Sequence, residues 1–230
     1  MKVTLLVPTL NEIEGVKAIM PRIKKDWVDE IVIIDGNSTD GTYEYLKERG
    51  YNVITQKAKG VLAAWWEGFE AATGDVIILF SPDNNSVPEA IPGLVSKMKE
   101  GYDMVIASRY KDEARSYDDS FITAFGNSLF TKIINFLFKA EYTDTLVMYR
   151  AFRKELLTEL KLYNDKKSIF EVLLSIRCAK KRLRVSEIPA DEPSRIDGGD
   201  SRVHSGVVGR LRGGIWISSS IIKELFRNIE

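Results

Sequence analysis

Three apolar runs each end in a turn that carries oxygen-bearing side chains. Lys2–Val7 leads into Pro8 and Asn11-Glu12. Ile31–Ile34 leads into Asp35, Asn37 and Asp40. Asp75–Phe80 leads into Ser81-Pro82-Asp83-Asn84-Asn85. Carboxylate and amide oxygens in such turns can accept from sugar hydroxyls and base N–H groups or hold a hard cation. Lys57 and Lys59 precede a helix start near Gly60, and cations beside a helix N-terminus can contact a diphosphate. Asp144 follows, and Arg195, Ser201 and Arg202 share a long loop with Gly198-Gly199. The planar fork of arginine suits phosphate. Plainer duties fit the same residues. Asn11 can cap a helix with Glu12 in its first turn, Asp35 can form an Asx-turn, and Asp40-Gly41 can simply turn the chain. Asp144 can cap the link from a helix to a strand, and Lys57, Lys59 and Arg202 can be solvated.

Other chemistries are poorly supplied. Among 230 residues there is one histidine, His204, and one cysteine, Cys178. That leaves no intrachain disulfide or thiolate zinc site and argues against Ser-His-Asp or Cys-His catalysis. No Gly-x-Gly-x-x-Gly follows the first strand, which disfavours a dinucleotide oxidoreductase. Lys+Arg and Asp+Glu are both 33, so a globally basic nucleic-acid binder is not expected. The local excess of Lys and Arg from Lys180 to Arg212 suits a phosphate-bearing ligand or a membrane surface.

These side chains need a scaffold, and the spacing predicts one. Strands are expected at Lys2–Val7, Glu30–Ile34, Tyr51–Thr55, Asp75–Phe80 and Asp103–Ala107. Helices are expected from Thr9–Glu12 to about Lys24, at Thr42–Arg49, Gly60–Ala72 and Pro88–Lys99. This alternation reads as an α/β fold, a Rossmann-like doubly wound, mostly parallel sheet with helices on both faces. Ligands in such sheets bind outside the C-terminal strand ends, where the acidic turns fall. After Arg109 come the polar loop Lys111–Ser120, an apolar helix Phe121–Lys139, a strand-like Leu146–Phe152, a helix Ser168–Lys180, a short strand Arg182–Glu187, and a helix Val207–Asn228 loosened by Gly213-Gly214. One domain is expected over 1–230: a nucleotide-binding half (1–110), an acceptor-side half (111–205) and a helical extension (206–230). Met1-Lys2 runs straight into a strand, which leaves no room for a signal peptide. No apolar run is expected to reach the roughly 18–20 residues of a membrane span. The expected location is the cytoplasm, with peripheral contact to the membrane face.

Pro8-Thr-Leu-Asn-Glu12, Val32-Ile-Ile-Asp-Gly-Asn-Ser-Thr-Asp-Gly-Thr42, Gly60 through Gly74-Asp75 and Ser108-Arg-Tyr110, taken in order, resemble the motifs of family-2 glycosyltransferases with the GT-A fold. Asp144…Tyr149-Arg150, Glu187-Ile-Pro189 and Arg195…Gly198…Ser201-Arg202 resemble the polyprenyl-phosphate sugar synthases of the dolichol-phosphate mannose synthase type. The resemblance covers residues 2 to about 203. It implies that Pro8, Asn11, Glu12, Asp35, Asn37, Asp40, Lys59 and Ser81 bind the nucleotide, and that Asp83 binds Mg²⁺ or Mn²⁺. It also implies that Asp144, Arg195 and Arg202 serve catalysis, with Arg195, Ser201 and Arg202 on the acceptor phosphate.

Two departures stand out. Ser81 replaces the first Asp of the family's Asp-x-Asp, which implies altered metal use; Asn84 and Asn85 add neutral oxygens nearby. Leu146-Val-Met-Tyr-Arg150 replaces a run of small residues beside the acceptor pocket. The implied activity is inverting transfer of a sugar from a nucleotide sugar to a polyprenyl phosphate. Two alternatives stay open: transfer to a hydroxyl acceptor, with Asp144 as base, and a catalytically silent nucleotide-sugar-binding module. Phe121–Lys139 carries more apolar surface than one helix face needs, which suits a bilayer, a prenyl chain, core packing or a dimer interface.

Overall fold

The computed structural model describes residues 1–196 and 206–228. Its order is β1 (Val3–Thr9), α1 (Ile13–Ile19), β2 (Glu30–Asp35), α2 (Thr42–Glu48), β3 (Asn52–Thr55), α3 (Val61–Ala71), β4 (Val76–Leu79), α4 (Ile91–Lys99) and β5 (Met104–Ser108). Then come α5 (Phe121–Phe138), β6 (Arg150–Arg153), α6 (Leu156–Glu159), α7 (Phe170–Lys180), β7 (Val185–Pro189) and α8 (Gly206–Phe226). Seven strands form one sheet in the order β3-β2-β1-β4-β6-β5-β7. β6 alone is antiparallel to its neighbours, pairing with β4 and β5.

Strand burial follows from composition. β1, β4 and β5 are runs of β-branched and aliphatic residues, and β4 and β5 are buried at every position. Strands buried in that way lie inside a sheet covered on both sides. α3 packs on β1 and β2, and α4 on β5, β6 and β7. Trp65 and Trp66 of α3 are core residues, at 2% and 7% exposure. The chain runs β1, β2, β3 in one direction, then returns to lay β4 on the other side of β1. The sheet therefore has its switch point between β1 and β4, the crevice where such sheets bind ligands.

Several boundaries differ from the sequence expectation. Pro21 shortens the first helix: α1 stops at Ile19 and a 3₁₀ turn, Met20–Arg22, follows. The expected strand Leu146–Phe152 shrinks to β6, because the N–H groups of Leu146 and Val147 turn back onto Asp144 (3.2 and 3.1 Å) instead of a neighbouring strand. The last strand begins at Val185. Gly213-Gly214 does not interrupt α8, whose Gly214 faces the Phe130 ring of α5. The expectation that no segment reaches membrane-spanning length is also corrected. α5 has 18 residues, is long and apolar enough to cross a membrane by length and composition, and is only 22% buried. Phe121, Phe125 and Phe136 of α5 and Leu211, Ile215 and Phe226 of α8 are exposed, and the two helices pack against each other.

Candidate active site

At the switch point two loops are forced together. After β1 the chain turns at Asn11 (φ 51°), a left-handed conformation that asparagine tolerates better than most residues, and enters α1. A Cβ on Gly15 would lie 2.5 Å from the carbonyl oxygen of Pro82. Glycine at this position lets α1 sit directly on the Ser81-Pro82-Asp83 turn that follows β4. The cleft between them is lined by Asn11, Glu12, Ile13, Glu14, Gly15, Asp83 and Ile196. Of the sequence-predicted residues, the structure thus brings Asn11, Glu12 and Asp83 together. Arg195, beside Ile196, places Nη2 3.7 Å from Asp83.

The other nucleotide-side candidates do not line that cleft. Asp35 is 1% exposed. Its carboxylate accepts from the hydroxyls of Thr9 (3.1 Å) and Ser38 (2.6 Å) and from the Ser38 N–H (2.9 Å). Asp40 accepts from the N–H groups of Ile13 and Thr42, each at 3.0 Å, and from the Thr42 hydroxyl. Burial alone would raise the Asp40 carboxyl; the Thr42 hydroxyl and the two N–H groups hold it below its ordinary value. The Asn11 carboxamide accepts from the Thr39 N–H at 2.8 Å, and the Glu12 N–H donates to the Thr42 hydroxyl at 2.9 Å. Residues 35–42 therefore brace residues 9–13. Pro8 lies in register with Ile34. Asn37 is exposed and donates to the Gln56 carbonyl. Ser81 donates its N–H to the Ser86 hydroxyl. Lys59 is exposed, and the N–H groups of Lys57 and Ala58 on the same loop already donate to Glu67.

On the acceptor side Asp144 is fully buried. It accepts from Arg109 Nε (2.7 Å), Nη2 (3.1 Å) and N–H (3.3 Å), from the Asn127 amide (3.1 Å), and from the Leu146 and Val147 N–H groups. Burial would raise this carboxyl, but Arg109 and the other donors hold it below its usual range. Arg109 also reaches Glu192 (3.0 Å) and Asp119 (3.3 Å). Burial and the neighbouring Asp119 push the Glu192 carboxyl up, against the pull of Arg109 and the Ser116 hydroxyl. So Asp144 anchors a buried cluster and has no oxygen free to meet an acceptor hydroxyl. Ser201 and Arg202 lie outside the described residues.

The profile of the family described as Glycosyl transferase family 2 matches residues 4–161. The chain belongs to this family. It is 27% identical over 202 residues to glycosyltransferase AglJ of Haloferax volcanii, spanning 87% of this chain and 66% of that protein. Dolichyl-phosphate hexose transferase of the same organism is 28% identical over 217 residues, 94% of this chain and 90% of the other. Dolichol-phosphate mannosyltransferase of Pyrococcus furiosus is 37% identical over 118 residues, 48% of this chain and 34% of that protein. The chain thus spans two thirds or less of the length of the first and third of these relatives. Among solved structures, glucosyl-3-phosphoglycerate synthase from Mycobacterium tuberculosis, in complex with Mn²⁺, UDP and glucosyl-3-phosphoglycerate, has a TM-score of 0.70 at 20% identity. That match covers 97% of this chain and 80% of the other and is a likeness of fold.

For a family-2 glycosyltransferase the donor set around Asp83 can be tested against a divalent cation. No cluster of three or more His, Cys, Asp or Glu side chains forms a metal site among the described residues. Asp83 Oδ1 accepts only the Asn85 N–H (3.1 Å) among the hydrogen bonds of the described residues, and Asn85 Oδ1 is buried with no hydrogen-bond donor. Such a pair fits a hard cation that draws its remaining ligands from substrate phosphate and water. Sequence reading missed Asp118, Asp119 and Glu192 and gave Arg109 no role. The signals were the six charges packed into Lys111–Ser120 and the Ser108-Arg109-Tyr110 motif itself.

Proposed function

We propose that this family-2 glycosyltransferase transfers a sugar, with inversion, from a nucleotide sugar to a polyprenyl-phosphate acceptor at the cytoplasmic face of a membrane. The observation that carries the acceptor class is the enclosure of Asp144. A hydroxyl acceptor needs a base, and the acid placed to serve as one has both oxygens occupied. A phosphate monoester arrives already ionised and needs none. Two relatives whose names specify dolichyl or dolichol phosphate support the same class. The exposed apolar faces of α5 and α8 suit a lipid surface.

In this reading Asn11 and Glu12 receive the nucleoside end of the donor, with Pro8, Asp35, Asn37, Asp40 and Ser81 shaping the loops behind them and Lys59 beside the phosphates. Mg²⁺ or Mn²⁺ held by Asp83 and Asn85 would neutralise the departing diphosphate. Arg195 supplies fixed positive charge where phosphate oxygens gather. Asp144 holds Arg109 in one orientation at the acceptor side. Ser201 and Arg202 are assigned to the acceptor phosphate. A phosphate oxygen of the acceptor forms the new bond to the anomeric carbon as the bond to the diphosphate oxygen breaks, and no proton leaves the acceptor.

The test pairs a thermal-shift panel of nucleoside diphosphates and nucleotide sugars, with and without Mn²⁺, with transfer assays on a detergent-solubilised polyprenyl phosphate and on glycan hydroxyls. A ligand that binds the native state raises its apparent stability. Transfer to the lipid phosphate is expected. Transfer to hydroxyls alone, or no shift with any nucleotide, overturns the reading.

A further inference from the structure

The charged loop 111–120 lies against the segment that carries Arg195, and the two are laced together. The Arg115 N–H donates to Asp191 (2.9 Å), the Glu192 N–H to the Arg115 carbonyl (2.9 Å), the Tyr117 N–H to the Glu192 carbonyl (2.8 Å), and the Ser194 hydroxyl to the Tyr117 carbonyl (3.1 Å). On its other side the same segment meets the turn after β4. The Asn84 amide donates to the Ser194 carbonyl (2.8 Å), and the Ile196 N–H donates to the Asp83 carbonyl (3.3 Å). Residues 191–196 are thus held between loop 111–120 and the Asp83 turn.

Arg195 stands between two carboxylates there. Its Nε is 3.5 Å from Asp118 and its Nη2 is 3.7 Å from Asp83. Both contacts are ion pairs, and among the described residues the buried Nε–H meets no hydrogen-bond acceptor. A buried donor without an acceptor is costly, so the guanidinium is held in place with part of its bonding capacity unused. Asp118 is itself fixed, accepting from the Asn85 amide at 3.0 Å. That same Asn85 carries the buried oxygen without a hydrogen-bond donor.

We infer that Asp118 is a positioning residue: it aims the Arg195 guanidinium at the diphosphate of the donor and couples that aim, through Asn85, to the Asp83 turn. The inference rests on the functional reading above. Asp83 and Asp118 share the guanidinium. A diphosphate oxygen then meets the terminal guanidinium nitrogens of Arg195, while Asp118 keeps its hold at Nε. Loop 111–120 thereby gains a duty for its charges.

The test is calorimetric titration of the whole chain with UDP, GDP, ADP, CDP and dTDP, each with Mn²⁺, and with the matching nucleosides as phosphate-free controls. Four proteins are compared: unaltered, Asp118→Asn, Arg195→Gln and the double variant. Asp118→Asn is expected to weaken diphosphate binding about tenfold, to leave nucleoside binding and the melting temperature unchanged, and to have less than about a twofold effect when Arg195 is already Gln. A purely structural role would not separate diphosphate from nucleoside. Equal weakening on both backgrounds, or none on either, overturns the inference alone. An unaltered protein that binds none of the diphosphates overturns the functional reading, and this inference with it.

Discussion

Among the described residues at the ligand edge, five carboxylates meet two guanidinium groups: Asp119, Asp144 and Glu192 around Arg109, and Asp83 and Asp118 around Arg195. Where α7 meets α8 the balance is reversed. Asp165 and Glu224 there face three cations, Arg177, Lys180 and Arg227. Arg177 is fully buried, donates to Glu224 and Asp165 (2.7 Å each), and also satisfies the carbonyls of Leu160 and Lys161. Each network perturbs a member of its surplus. Burial and Asp119 raise the Glu192 carboxyl in the first; burial and the neighbouring Arg177 and Arg227 lower the Lys180 ammonium in the second, against Glu224. The difference lies in what each surplus meets. The surplus cations of the second network also bond backbone: Lys180 Nζ donates to the carbonyls of Glu224 and Arg227, which fastens α8 to the body. In the first, Asp83 lines a cleft that Glu12 and Glu14 also line. A surplus of negative charge beside a cleft calls for a cation from outside, whereas charges closed by carbonyls call for nothing.

That contrast can be broken in four ways, taken from the largest effect to the smallest. Asp83→Ala should lower the rate of sugar transfer by roughly 10²–10³-fold, the scale of losing one preorganised electrostatic group, with little change in melting temperature. A variant that transfers at the parent rate would remove Asp83 from the chemistry. Glu224→Ala should act oppositely. It leaves a buried arginine short of one of its two carboxylates, and denaturant unfolding should show a loss of about 3–5 kcal/mol, while transfer measured well below the melting point persists. A loss below about 1 kcal/mol would mean that α8 is held by packing alone.

Asp144→Asn should cost about 1–3 kcal/mol at neutral pH, with a sign that pH exposes. The Asp144 carboxyl is lowered by Arg109 and its other donors against burial. Its contribution is therefore present above the unfolded value and lost as pH falls through the lower folded value. The gap between parent and variant should close as pH drops below the ordinary aspartate range, and a gap independent of pH would contradict the charge assignment. Glu192→Gln should be the mildest. Glu192 is raised in the folded state, so ionising it costs the fold, and the variant should gain stability relative to the parent as pH rises through and above the ordinary glutamate range. Urea midpoints between pH 4 and pH 8 would show it; a relative loss with rising pH would mean that Arg109 outweighs burial.

Local order was readable where one residue type decides a local outcome. The strand runs and the turn residues after β1, β2 and β4 follow from periodicity and turn chemistry. The duties of the acids were less readable. Asp35 and Asp40 occupy the strand-end positions expected of ligand residues, yet their oxygens are taken by Thr9, Ser38, Ile13 and Thr42. Nothing in their spacing tells an oxygen filled from within from one left for a ligand. Asp144 likewise reads as a base until the Arg109 side chain, 35 positions earlier, is seen to close on it. Arg109, Asp118 and Glu192 come from segments far apart in the chain, so no local pattern could unite them.

By itself the sequence determined that an α/β sheet forms, that its C-terminal edge is acidic, and that an ordered set of motifs marks family 2. Those properties depend on residues close together in the chain. Tertiary structure alone decided that β4 returns beside β1, so that Glu12 and Asp83 share a cleft and Asp35 stands behind it as a brace. It decided too that loop 111–120 and residues 191–196 are laced together over that cleft, and that the apolar excess of α5 and α8 faces outward. Strand order, long-range ion pairing and exposure arise from contacts between distant segments, and only the folded chain chooses among them.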